Sequence, residues 1–197
     1  MNVLLLSMPD SFEHMPALAI RMPNGALTSL AGNVDPHHRV AVADLVLVQS
    51  RVRDTVERLV REWRPDVVGL SVMTFQRRTA HRLIELVRVL RPGVRVVVGG
   101  YDPSLASDAY TQPDGGAADF IVRGEGELTF RALLRALERG GGVEEIASLS
   151  FRHGDHYTHN PDRPVTRLES GEIRLPDRAA RVLRGYTMVG RQVDVVE

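Results

Sequence analysis

Apolar residues fall along this chain in runs of two textures. Six runs are compact and rich in Val, Ile, Leu and Ala: residues 2–7 (NVLLLS), 39–45 (RVAVADL), 66–72 (DVVGLSV), 94–98 (VRVVV), 119–122 (DFIV) and 146–151 (IASLSF). Several lack the alternation of a half-exposed strand, which is the pattern of strands covered on both faces in a parallel sheet. Between them, apolar residues recur at helical spacing: Val52, Val56, Leu59 and Val60; then Ala80, Leu83, Ile84, Val87 and Leu90; then Phe130, Leu133, Leu134 and Leu137. These stretches end at Pro65, at Pro92-Gly93 and at Gly140-Gly141-Gly142, all ordinary helix stops. A further helix is expected within residues 17–32, interrupted by Pro23 and Gly25. Strands alternating with helices predict an α/β domain, Rossmann-like of the flavodoxin-like kind, with a doubly wound, mostly parallel five-stranded sheet.

That domain is placed at residues 1–140. From Ile146 the texture changes. The stretch IASLSFRHGDHYTHNPDRPVTRL reads as a β-hairpin turning at Gly154-Asp155 and running into a Pro-rich extended segment, and GRQVDVVE reads as a strand with no stop behind it. Residues 141–197 are therefore expected to be a hairpin and a linker.

Composition narrows the function classes. Of 197 residues, 43% are hydrophobic and 25% charged, as in a globular domain. The 25 basic and 25 acidic residues cancel, so no electrostatic footprint calls for nucleic acid or an anionic membrane as partner. No apolar run approaches the ~20 residues of a membrane span, and the first ten residues lack the basic flank of a signal peptide. The expected location is the cytoplasm. Cysteine is absent, which excludes disulfides, thiolate nucleophiles and iron–sulfur ligation by this chain. Every basic side chain apart from histidine is Arg, which removes the P-loop lysine and Schiff-base chemistry.

In open parallel sheets, ligands sit beyond the carboxyl ends of the strands, so the loop after each strand carries the chemistry. The first strand leads into MPDSFEHMPALAIRMPNG, the third into SVMTFQRR, the fourth into GGYDPS, expected as a turn, and the fifth into RGEGELTF. Gly99, Gly100, Gly124 and Gly126 lack a Cβ, so backbone can approach a bulky ligand there. Ser71 and Thr74 are placed where a helix N-terminus offers N–H groups to phosphate or amide oxygens. Glu125 and Glu127 either cap the next helix or repel a phosphate.

The order VVGLSVMT, VVVGGYDPSL, DFIVRGEGELTFRALLRALERG, SLSFRHGDHYTHNPDRP and LPDR resembles the N-terminal cobalamin-binding domain of cobalamin-dependent radical SAM enzymes, over nearly the whole chain. The resemblance implies a domain that holds cobalamin base-off, with the dimethylbenzimidazole nucleotide tail buried at the sheet's rim. It implies that Ser71 and Thr74 contact the tail, that Gly99 and Gly100 let it pass closely, and that Gly124, Glu125 and Gly126 line the opposite wall. Met73 and Tyr101 join them as cofactor-binding residues. Other cobalamin domains carry DxHxxG after the first strand, with the His on cobalt. Here the loop reads DSFEHMPA, so Asp10 and His14 are differently spaced and no lower ligand is evident. The family's CxxxCxxC segment is also absent. The 4Fe-4S cluster and S-adenosylmethionine are thus expected in a downstream radical SAM domain, in cis or in trans, serving methyl transfer or related radical chemistry.

Two alternatives stand beside this expectation: a degenerate Rossmann-like interaction or regulatory domain without cofactor, and a flavin- or nucleotide-binding flavodoxin-like module. A response-regulator receiver is disfavoured, because the third strand ends at Ser71 rather than Asp and no Lys is present. His153, His156 and His159 read as residues of a surface hairpin, with no metal site expected there. His37 and His38 are expected to be exposed in a turn.

Overall fold

The structure is a computed structural model that describes residues 1–9, 24–111, 117–154, 156–164, 171–188 and 191–193. Five parallel strands form the centre: β1 (Asn2–Ser7), β2 (Arg39–Asp44), β3 (Val67–Ser71), β4 (Arg95–Gly99) and β5 (Phe120–Val122). The hairpin of β6 (Leu149–His153) and β7 (His156–His159) continues the same sheet antiparallel to β5, giving seven strands in the order β2-β1-β3-β4-β5-β6-β7. The helices are α1 (Gly25–Asn33), α2 (Val52–Trp63), α3 (Arg77–Leu90), α4 (Tyr101–Leu105) and α5 (Glu127–Arg139).

Alternate strand positions divide the core into two layers. Leu4, Leu6, Val68, Leu70, Val96 and Val98 pack against Val56, Leu59 and Val60 of α2 and Ala80, Ile84 and Val87 of α3. Val3, Leu5, Val67, Val97, Phe120 and Val122 face Leu27 and Ala31 of α1 and Phe130, Leu133 and Leu134 of α5. Because β1 pairs with β2 on one side and β3 on the other, the connections reverse direction at β1/β3. A crevice opens at such a point beyond the strand ends.

Several sequence expectations are corrected. The residues after Gly100 form the short helix α4, not a plain turn, because Asp102 is drawn inward to a buried ion pair. Leu45 leaves the second strand and opens a 3-10 helix over Leu45–Arg51, capped by the Asp44 side chain. The sixth run becomes a strand only at Leu149. Ile146 closes a 3-10 turn by donating to Val143 O, and Ser148 takes φ 62. His38 is buried rather than exposed, with Nδ1 3.1 Å from the Met1 amine. Burial holds this imidazole below the usual histidine range, hence neutral. Within residues 17–32, the helix begins at Gly25, capped by Asn24; residues 17–23 lie outside the described set.

Residues 174–182 fold back over the domain as a strap. Asp177 N donates to Thr28 O at 2.8 Å, Val42 N to Ala180 O at 2.8 Å and Val182 N to Val42 O at 2.9 Å, so the strap covers the open edge of β2. Gly32 makes this crossing possible, since a Cβ there would lie 1.9 Å from Leu175 O. Beyond it, β8 (Tyr186–Met188) pairs with β9 (Arg191–Val193), and the Tyr186 hydroxyl donates to Asp44 Oδ2 at 3.0 Å. One position is suboptimal. Arg64 caps α2 at φ 42 and ψ 59, left-handed backbone that a side chain strains. Arg64→Gly is expected to stabilise the domain by about 0.5–1 kcal/mol in a urea titration.

Candidate functional site: a slot at the sheet's carboxyl rim

The residues lining the α1/α5 face thin out toward the carboxyl ends of the strands. In β3 that face carries Val67, then Gly69, then Ser71; in β4 it carries Val97, then Gly99. The lower part is filled by valines and the upper part is almost bare backbone. The result is a narrow slot with about 580 Å³ of empty space counted out to its open mouth and the solvent there. Its walls are Ala26, Leu27 and Leu30 of α1 and Glu127 and Phe130 of α5, with Gly100, Gly124 and Gly126 at the rim. Inside, Leu5 leans across Gly69: a Cβ at residue 69 would meet Leu5 Cδ2 at 2.7 Å.

Two helices are joined at the mouth. Ser29 Oγ donates to Glu127 Oε1 at 2.7 Å, linking α1 to the first turn of α5, where a carboxylate also suits the helix dipole. Gly126 sits under Leu30, whose Cδ2 would lie 3.0 Å from a Cβ.

Of the residues expected at the site, Ser71, Gly99, Gly100, Gly124 and Gly126 line the slot. Met73, Thr74, Tyr101 and Glu125 lie on the same rim outside it. Thr74 does not start α3; it begins a 3-10 turn in which Gln76 Oε1 accepts from Met73 N at 3.0 Å. Sequence reasoning missed Gly69, Ala26, Leu30 and Phe130. A lone glycine inside the apolar run of the third strand was the available signal, because such a residue marks close approach of another group. His14 and the rest of residues 10–23 lie outside the described set.

Beneath the rim lies a buried polar clamp. Asp102, 1% exposed, accepts from Arg77 Nε at 2.8 Å and a terminal guanidinium nitrogen at 2.7 Å. The buried Tyr110 hydroxyl donates to the same carboxylate at 2.7 Å. The Arg77 guanidinium, ahead of the opposing effect of burial, holds the Asp102 carboxyl below the usual carboxylate range. Backbone bonds reinforce the clamp: Val72 N donates to Gly99 O at 2.9 Å and Asp102 N to Val72 O at 3.1 Å. Gly100, at φ 101, lies at this crossing, where a Cβ would sit 2.9 Å from both Val72 N and Val72 O. The loops after β3 and β4 are thereby locked together, fixing one side of the slot.

Other candidate chemistry lies away from the slot. The hairpin histidines His153, His156 and His159 are exposed, and His159 Nδ1 is 2.8 Å from Ser150 Oγ. Among the described residues, the grouping with metal-ligand geometry is His37, His38 and Glu138, at the amino ends of the strands, opposite the slot.

A doubly wound sheet with an apolar slot at its switch point defines a small-molecule-binding α/β domain. The chain belongs to the B12-binding domain family, whose model matches residues 15–134, more than half of its length. It is 27% identical over 176 residues to an uncharacterized methyltransferase of Pyrococcus horikoshii, covering 89% of this chain and 38% of that protein. It is 28% identical over 174 residues to the anaerobic magnesium-protoporphyrin IX monomethyl ester cyclase of Synechocystis sp., covering 84% of this chain and 33% of that one. Among solved structures, the cobalamin-dependent S-adenosylmethionine radical enzyme OxsB, with aqua-cobalamin and S-adenosylmethionine bound, shares the fold. Its TM-score is 0.72 at 19% identity, over 90% of this chain and 24% of that chain. The radical S-adenosylmethionine methyltransferase TsrM of Kitasatospora setae, with cobalamin and a [4Fe-4S] cluster bound, has a TM-score of 0.65 at 22% identity, over 81% of this chain and 31% of that chain. The chain thus spans between about a quarter and two fifths of the length of these proteins. Family and fold agree with the resemblance read from the sequence. Among the described residues, no helix is long and apolar enough to cross a membrane.

Proposed function

We propose that this domain holds cobalamin base-off, with the nucleotide tail in the slot between the sheet and the helices α1 and α5, for a radical SAM domain in the same polypeptide. The observation that carries the reading is the thinning of side chains to Gly69, Ser71 and Gly99 on one face of the sheet, where Val67, Val97 and Phe130 supply an apolar floor and wall. A flat aromatic base with a sugar-phosphate arm matches such a site: dry walls for the base, and a hydroxyl with open backbone near the mouth for the polar part. Bound there, cobalamin supplies a cobalt centre able to carry a methyl group.

The chain's own residues bind and position. Leu5, Leu27, Leu30 and Phe130 exclude water from the slot, Ser71 offers a hydroxyl, and the Arg77–Asp102 clamp fixes the loops at the mouth. In this reading residues 1–140 are the binding unit and residues 141–197 lead toward the radical SAM domain. That domain would hold the 4Fe-4S cluster and S-adenosylmethionine.

The test is a titration of the purified protein with hydroxocobalamin, followed by desalting. Retention of about one corrinoid per chain with the base-off absorbance spectrum is expected. No retained corrinoid, or a base-on spectrum, sinks the proposal. A parallel titration with flavin mononucleotide separates the flavodoxin-like alternative.

A further inference from the structure

Beside the slot, and sharing Gly124 with it, lies a second cavity with about 750 Å³ of empty space counted to its open mouth. We propose that it is a subsite for primary carboxamide side chains of the corrin ring, selecting them over carboxylates; the inference rests on the cobalamin reading above.

The cavity's chemistry differs from that of the slot. Its lining includes two cations, Arg123 and Arg163, two anions, Glu125 and Asp162, and two hydroxyls, Ser104 and Ser148. The formal charges cancel. A net cationic cavity would select phosphate or carboxylate, and a net anionic one would select an ammonium group or a metal ion. Donors and acceptors interspersed at zero net charge suit a neutral group that both donates and accepts, which is what a primary amide does. The corrin ring carries several such groups on flexible arms around its edge.

The wall is built in advance. Ser148 is held at φ 62, a left-handed conformation that persists in a side-chain-bearing residue only where the surroundings impose it. Its N–H donates to Pro161 O at 2.8 Å and its carbonyl accepts from Arg123 N at 2.9 Å. Its hydroxyl oxygen accepts from Arg163 N at 2.8 Å, which leaves the hydroxyl proton for a further acceptor. Arg123 is paired with Asp162 at 3.1 Å. On the other side, Ser104 Oγ accepts from Gly124 N at 2.9 Å and donates to Gly100 O at 2.7 Å, which ties this cavity to the rim of the slot.

Half of the charged and hydroxyl groups, Ser148, Asp162 and Arg163, lie beyond residues 15–134, the part matched by the family model. The residues flanking the hairpin on either side therefore add recognition groups beyond the matched part.

The experiment compares binding of cobalamin with that of its three monocarboxylic acids, each with one propionamide hydrolysed to propionate. Fluorescence quenching of the full chain reads the affinities. Wild type is expected to bind at least one acid about tenfold more weakly than cobalamin, because a carboxylate, unlike the amide, has no N–H to donate to Glu125 or Asp162 and costs more to strip of water. Asp162→Ala removes a carboxylate that is 75% exposed and is expected to narrow or reverse that preference by leaving the arginines in excess. Equal binding of all four corrinoids by wild type, or an unchanged preference in the variant, overturns the subsite. Failure of wild type to bind cobalamin itself overturns the underlying reading, so the two failures are distinguishable.

Discussion

Replacing Asp102 with alanine is expected to lower the unfolding free energy by about 3 kcal/mol, at the low end of what breaking a buried ion pair costs. The low end applies because the Arg77 side chain is 36% exposed while Asp102 is 1% exposed. For a domain of this size that corresponds to a fall in Tm of roughly 6–12 °C. The carboxylate is the shared acceptor of the Arg77 guanidinium and the Tyr110 hydroxyl. Its removal leaves a fully buried phenol without its acceptor and a cation beside an apolar gap. Asp102→Asn keeps the volume and one acceptor, and is expected to lose about half as much. Differential scanning calorimetry of both variants checks the order; equal stability of all three proteins would show that the clamp contributes nothing.

The same carboxylate sets a pH dependence. Its pKa is depressed in the folded protein, chiefly by Arg77, so its contribution is fully present above the unfolded value near ~3.9 and is lost as pH falls through the folded one. The stability difference between wild type and Asp102→Asn is therefore expected to be constant above about pH 5 and to shrink below about pH 4. Urea titrations across that interval read it directly, and a difference that grows on acidification contradicts the assignment.

The scaffold was readable from the chain because parallel strands buried on both faces leave an unambiguous mark. Val67, Val68, Val96, Val97 and Val98 have no polar partner to alternate with, and the helices between them repeat their apolar residues at 3.6-residue spacing. The rim was readable in part, since Gly100 and Gly124 adopt positive φ and glycine is the residue such backbone selects. The slot itself was harder to read. Leu27, Leu30 and Phe130 look like any other core-facing helical positions, and only the pairing of Gly99 with Ser71, two residues beyond Gly69 on the same face, reveals that the core stops short there. Asp102 illustrates the opposite difficulty. A charged residue next to proline reads as a surface turn, and its burial depends on Arg77, 25 residues earlier. The strap was invisible for a similar reason, because its register rests on backbone bonds to Thr28 and Val42 rather than on side-chain pattern.

Filling the slot from its wall is the change with the largest expected effect on binding. Ala26 is exposed on α1 and lines the mouth of the slot, so Ala26→Trp places an indole there without removing any core contact. Cobalamin affinity is expected to fall at least 100-fold, which is about 2.8 kcal/mol, while Tm stays within about 2 °C, as for a surface substitution. Gly99→Leu approaches the slot from the sheet. Its backbone φ is not positive, and a Cβ there meets Val122 O at 3.4 Å and Val122 Cβ at 3.6 Å, ordinary contact distances. The strand should therefore accept the side chain, and the slot should not accept the tail. Gly100 is unsuitable for this purpose, because its Cβ would collide with the Val72 backbone and any loss of binding would be confounded by a distorted rim. Isothermal titration with hydroxocobalamin, beside a thermal melt of each variant, gives both quantities. If both variants keep wild-type affinity and the base-off spectrum, the nucleotide tail lies elsewhere. If both lose binding with their melts intact, the bare face of β3 and β4 is where it enters.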